Sequence, residues 1–181
     1  VTAAISVMTA QGPLLAVDQR ISNDDWEVFD LPKSKTIESE GWRLVAAGTV
    51  SLIQELRADL LEMRGDIHAI LDSGFFPAWY REHYSGAEEI VTLDLAVLGI
   101  TPDGERFRVG AGGDVYRMAD GAAYAIGSGG QFLIGFFLAR FCDATGHDAD
   151  DVAEALADAY FAYPRHDVSA EFDVLFREDQ A

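Results

Sequence analysis

The sequence predicts an α/β sandwich in layers, built on antiparallel sheets. Three observations lead there. Short apolar runs of strand length are separated by tight turn signals, as in Gln11-Gly12 and Pro102-Asp103-Gly104. Two blocks of helical periodicity interrupt the strands, one beginning near Val50 and one near Gly129. A strand-forming segment, EFDVLF, follows the second block. Short hairpins favour antiparallel pairing, because parallel strands need long crossovers.

The elements follow in order. Residues 2–9 and 13–18 read as strands joined at Gln11-Gly12. Residues 19–32 read as polar and irregular, with Asn23-Asp24-Asp25 and Pro32 as breakers. Two short strands follow, near Lys35–Ile37 and Trp42–Ala47, and Gly48 ends the run. Val50, Ile53, Leu56 and Leu60 then recur at helical spacing, with Ser51 and Gln54 as a capping box and Gly65 as a stop. A second helical stretch lies within residues 66–84, interrupted by Gly74 and Pro77. LDLAVLGI is a strand, and ERFRVGAGGDVYRM reads as two more around a glycine turn. Residues 129–141 form an apolar helix. Asp148 and Asp151 open another, with Val152, Leu156, Ala159 and Tyr163 on one face and Pro164 near its end. No repeat or linker divides residues 1–181, so one domain is expected.

Composition narrows the function classes. The formal net charge of −18 argues against nucleic-acid binding, which needs a basic surface. The longest apolar stretch, around FLIGFFLA, is too short to span a bilayer, so no membrane partner is expected. The first residues lack a basic start, which argues against a secretory signal. The single cysteine, Cys142, sits in an apolar context and is compatible with a reducing cytoplasm, the expected location. His68, His83, His147 and His166 lack metal-ligand spacing, so neither a metal nor a cofactor is expected. Asp24-Asp25 and Asp148–Asp151 read as turn and cap carboxylates, and the paired aromatics as core or subunit contacts.

Several motifs resemble the proteasome β-subunit superfamily, including the bacterial HslV and Anbu peptidases, over nearly the whole chain. Thr2, a strand, a turn and AVDQR resemble the family opening, with Asp18 at the expected distance. KSKTIESEGWRLVAAG resembles the lysine-bearing strand that runs to an Ala-Gly turn before the first helix. Lys33 fits that lysine best by its distances to Ile37 and to Ala47-Gly48, and Lys35 is the runner-up. AIGSGGQFLIGFFLA resembles the turn entering the third helix, which carries over Ser128 and Gly129. There are departures. The Asp18-to-Lys33 interval is one residue shorter than usual, and GTVSLIQ lacks an acidic residue common after the Ala-Gly turn. Near the end, His166-Asp167-Val168-Ser169 replaces Asp-x-x-Ser, leaving Asp167 and Ser169 as support candidates.

The resemblance implies a four-layer αββα sandwich of the N-terminal nucleophile (Ntn) hydrolase type. It implies a threonine endopeptidase subunit in a homo-oligomeric ring, acting on peptides or unfolded proteins, with an ATP-dependent unfoldase as a possible partner. Thr2 would be the nucleophile and its free α-amine the base, since an unperturbed α-amine has a pKa of about 7.7–8.0. That chemistry needs Thr2 to lead the mature chain. A leading Val is what literal translation of an alternative start codon yields, and the Met inserted there is expected to be trimmed. Lys33 would favour deprotonation, Asp18 would balance the lysine, and the Gly48 N–H would face the oxyanion. Ser128, with Gly129, would relay protons. Each residue also has a plainer reading: Thr2 as a strand residue, Lys33 as a solvated lysine, Asp18 and Gly48 as turn residues, Ser128 as a helix cap. Two other classes stay open, a non-catalytic ring subunit and an Ntn amidase acting on a small amide.

Overall fold

The computed structural model describes residues 2–22, 28–39, 41–63, 65–84, 94–119, 121–141, 146–162 and 172–176. Strand β1 (Ala4–Thr9) turns back into β2 (Gly12–Asp18). The four-stranded sheet has β1 and β2 at its centre, flanked by β10 (Tyr124–Ile126) and β11 (Phe172–Phe176). The five-stranded sheet runs in sequence order: β5 (Thr36–Ser39), β6 (Trp42–Gly48), β7 (Leu95–Ile100), β8 (Arg106–Val109) and β9 (Val115–Arg117). The strand pairs of both sheets are antiparallel. This is the expected sheet class.

Period-2 alternation divides the apolar side chains between layers. On β1 and β2, Ile5, Val7, Leu14 and Ala16 pack beneath two helices, α4 (Gly130–Phe141) and α5 (Ala149–Ala162). Ala4, Leu15 and Val17 point the other way. They meet Val45, Ala47, Leu98 and Ile100 of the second sheet. Leu44, Ala46, Leu95 and Val97 face the remaining helices: α1 (Val50–Met63), α2 (Ile67–Asp72) and α3 (Phe75–His83). The layers are therefore helix, sheet, sheet, helix.

Four local readings are corrected. Residues 19–32 are not wholly irregular, because β3 (Arg20–Ser22) and β4 (Val28–Asp30) pair as a ribbon. The capping box at Ser51 and Gln54 does not form. The Thr49 carbonyl accepts the first helical bond, from Ile53, and the Gln54 amide instead donates to the Ser34 carbonyl at 3.0 Å. Pro77 does not break its helix. It lies in the first turn of α3, where a missing N–H costs nothing, and Gly74 caps that helix at φ 78°. Ala125 and Ile126, grouped by their motif with the turn into α4, belong to a strand, Tyr124–Ile126. Tyr163 and Pro164 lie outside the described residues.

The interface between sheets is sealed by side chains with no exposure, Leu98 among them. Leu98→Ala should lower stability by about 2–5 kcal/mol through lost transfer energy and a cavity. Urea unfolding measures this, with an unchanged m-value expected.

Candidate active site

The site forms where β1 begins. Just beyond the last pair of the β1–β2 hairpin, Ala4 and Val17, the Asp18 N–H donates to the Ala3 carbonyl at 3.0 Å. The Asp18 side chain folds back on the same residue, and its Oδ1 accepts the Ala3 N–H at 2.7 Å. Oδ2 accepts the Arg20 N–H at 3.2 Å. Oδ1 also accepts from Lys35 Nζ at 3.1 Å. One carboxylate oxygen thus joins a buried ammonium to the amide next to Thr2.

The pair is almost wholly shielded, with side-chain exposures of 2% for Lys35 and 0% for Asp18. Burial lowers the Lys35 pKa from its ordinary value, opposed by the Asp18 charge. Burial raises that of Asp18, opposed by Lys35 and by the two backbone donors. The signs follow from linkage. Just above pH 3.8 the folded state holds the Asp18 proton longer than the unfolded chain, so stability falls as pH rises. Approaching pH 10.5 the folded state releases the Lys35 proton first, so stability rises with pH. The burial cost is fullest between these windows, where both groups are charged.

The expected lysine is corrected by this geometry. Lys33 is 73% exposed and its ammonium lies 3.8 Å from Glu38, on the surface. It occupies a turn instead. The Ser34 N–H bonds to the Leu31 carbonyl at 3.3 Å, which puts Pro32 and Lys33 at the two central positions. Pro32 presets the first, and Lys33 takes the left-handed second position at φ 58°. Its main chain is held from both sides, the N–H by Asp173 Oδ2 at 2.6 Å and the carbonyl by Arg57 at 2.6 Å. The chain leaves this turn with Lys35 directed inward. Sequence spacing could not see it, because a turn of this kind shifts which lysine points to the core.

Thr2 is 2% exposed. Among the described residues its Oγ1 has no hydrogen-bond partner. The Thr2 carbonyl accepts from the Gly129 N–H at 3.3 Å. Gly127, at φ 83°, lets the two segments meet, since a Cβ there would sit 2.0 Å from the Thr2 oxygen. Thr2 and Ser128 line a cavity of about 300 Å³ together with Ala47 and Gly48 of β6 and, beside them in the same sheet, Asp94, Leu95 and Ala96. Ala111 and Gly127 complete it. Gly48 has φ 142°, and a Cβ there would lie 1.9 Å from the Asp94 carbonyl oxygen. The end of β6 and the start of β7 can therefore approach only through glycine.

Thr2, Gly48 and Ser128 are brought to one cavity, and Gly129 backs it. Asp18 and Lys35 do not line it and connect to Thr2 through the Ala3 N–H. Asp167 and Ser169 lie outside the described residues. Sequence reasoning missed Asp94, Ala111 and Gly127 as site residues. Gly127 was within a quoted motif, whereas nothing local marks Asp94 or Ala111, which reach the cavity through sheet register. Among the described residues, no cluster of metal-ligating groups occurs, and no helix is long and apolar enough to cross a membrane.

This arrangement stands within a fold shared with solved structures. HslV from Trypanosoma brucei superposes with a TM-score of 0.66 at 18% identity, covering 96% of this chain and 97% of that one. BPH from Thiobacillus denitrificans matches with a TM-score of 0.72 at 16% identity, over 99% of this chain and 100% of that one. Anbu from Yersinia bercovieri matches at 0.69 and 14% identity, over 96% and 80%. The fold is that of the proteasome-like Ntn hydrolases. No family model matches the chain, and no curated protein matches it in sequence. At these identities the proteasome-like likeness is one of fold.

The buried pair and the surface lysine should respond differently to substitution. Lys35→Met leaves a buried carboxylate unpaired and should cost about 3–5 kcal/mol. Adding Asp18→Asn to that variant should recover part of the loss. Lys33→Gly should gain up to about 1 kcal/mol by relieving the left-handed backbone. Urea denaturation of the variants measures all of these.

Proposed function

We propose that the chain is a threonine endopeptidase subunit of a self-compartmentalising, proteasome-like homo-oligomer, with Thr2 as the nucleophile. The observation that carries this reading is the Thr2 hydroxyl, which is buried, unpartnered and on the wall of a cavity. Leaving a buried hydroxyl unbonded costs about 1–3 kcal/mol. Among the described residues the Ser6 and Ser34 hydroxyls are equally unpartnered, but Thr2 Oγ1, unlike them, belongs to a residue that lines the cavity. The shared fold and the ion pair beside Ala3 support the same reading.

The mechanism assigns each group a task. Removal of the initiator residue frees the Thr2 amine. That amine takes the hydroxyl proton as Oγ1 bonds to the substrate carbonyl carbon. Charge develops on the carbonyl oxygen, and the Gly48 N–H donates to it. The proton then passes to the leaving amine through Ser128 as the C–N bond breaks. Water cleaves the resulting ester, which returns the hydroxyl. The Lys35 ammonium stabilises the anionic character of Oγ1, and Asp18 fixes Lys35 in place. The role first given to Lys33 moves to Lys35. Substrates are peptides or unfolded chains admitted to the ring, and an ATP-dependent unfoldase is the partner that would supply them.

Thr2→Ala should abolish hydrolysis of short fluorogenic peptides and leave urea stability within about 1 kcal/mol. Mass spectrometry of the active chain should show Thr2 leading. Undiminished turnover by the alanine variant would exclude the assignment. A ring should also scatter light as a closed oligomer at micromolar concentration.

The pH profile of kcat has a predicted shape. Activity should rise as the Thr2 amine loses its proton, near pH 8 for an amine of about 7.7–8.0. It should fall as Lys35 loses its proton, below pH 10.5 because burial lowers that pKa. Stopped assays across this range locate both limbs.

A further inference from the structure

Nine residues line the cavity at Thr2, and Asp94 alone among them is charged. The rest are Thr2, Ser128, Leu95, three alanines and two glycines. Ala47 and Ala96 are directly opposed across the β6–β7 ladder, and Gly48 faces Leu95 one step on. Methyl groups and bare backbone leave room for a side chain, and they offer it no charge partner. Asp94 stands at the end of that wall, exposed, as the residue before β7. Its carbonyl is fixed by the Thr49 N–H at 2.9 Å. Its carboxylate has one long contact, 3.4 Å from the Thr49 hydroxyl. Among the described residues no cation pairs with it, which leaves its charge directed to whatever enters the cavity.

We propose that Asp94 is a specificity-determining residue that selects a peptide with a basic side chain in this cavity. The inference rests on Thr2 acting as the nucleophile. The chemistry is that of a long side chain carrying its cation at the tip. Its methylene stem packs along Ala47, Ala96 and Ala111, and the ammonium or guanidinium reaches the carboxylate at the rim. An acidic or uncharged side chain gains no such contact. The net charge of −18 adds to the attraction for cationic peptides.

The test compares N-acetylated aminocoumarin amides of arginine, lysine, norleucine and glutamate, with kcat/KM taken for each. Blocking the α-amine ensures that the only cation is the side chain. An exposed ion pair contributes about 0.2–1 kcal/mol, so arginine and lysine should exceed norleucine by roughly 1.4-fold to fivefold. Glutamate should fall below it. The advantage should shrink as salt is raised from low ionic strength, because the carboxylate is exposed. In Asp94→Asn the arginine-to-norleucine ratio should fall towards one, mainly through KM, and Asp94→Glu should restore it. The ratio cancels any general loss of folding or turnover. Equal rates for arginine and norleucine, or a preference that survives in Asp94→Asn, would overturn the proposal while leaving the peptidase reading intact. Failure of every substrate, in a chain shown by mass to begin at Thr2, would overturn both.

Discussion

A carboxylate and an ammonium taken out of water lose far more hydration than their mutual attraction returns, unless every remaining lone pair and proton is used. On the Asp18 side the surrounding backbone supplies those partners. Oδ1 takes the Ala3 N–H together with Lys35, and Oδ2 takes the Arg20 N–H. The start of β1, the end of β2, the start of β3 and the turn before β5 are thereby tied to one side chain. Most of the site geometry depends on this junction, since it fixes the segment that presents Thr2.

The turn supplying Lys35 is itself held at a distance from the pair. Gln54 donates to the Ser34 carbonyl, and Arg57 donates to the carbonyls of Lys33 and Thr36. Both residues stand on α1, so the helix layer acts on the site through main-chain oxygens. On the other side, Asp173 of β11 holds the Lys33 N–H and the Gln19 amide. The turn is therefore held by α1 on one side and by β11 of the four-stranded sheet on the other. A site assembled from both sheets is rigid because the layers between them are packed side chain to side chain.

Two glycines solve a different problem, that of bringing main chains closer than any Cβ allows. Gly48 admits the Asp94 carbonyl, and Gly127 admits the Thr2 carbonyl. Together they bring the end of β6, the start of β7, the start of β1 and the turn into α4 around one small cavity. The serine and threonine hydroxyls on its wall come from segments more than a hundred residues apart in sequence.

Periodicity in the sequence was enough to predict a layered α/β sandwich, because burial forces apolar residues to recur every second position on strands and every third or fourth on helices. The four-layer order came from the resemblance. Val45 and Ala47 against Leu44 and Ala46 divide as alternation requires. Thr2, Asp18, Gly48, Ser128 and Gly129 were legible as a set only through the resemblance, because each alone has a plainer reading and the motifs gain weight from their order and spacing. The choice between Lys33 and Lys35 was not legible. It depends on a left-handed backbone at Lys33, a residue type that favours no such conformation and is held in it by contacts from Asp173, Arg57 and Thr36. Asp94 and Ala111 were invisible for a related reason. A cavity is made by strand register and by the spacing of two sheets, and those are set by contacts between residues far apart in the chain.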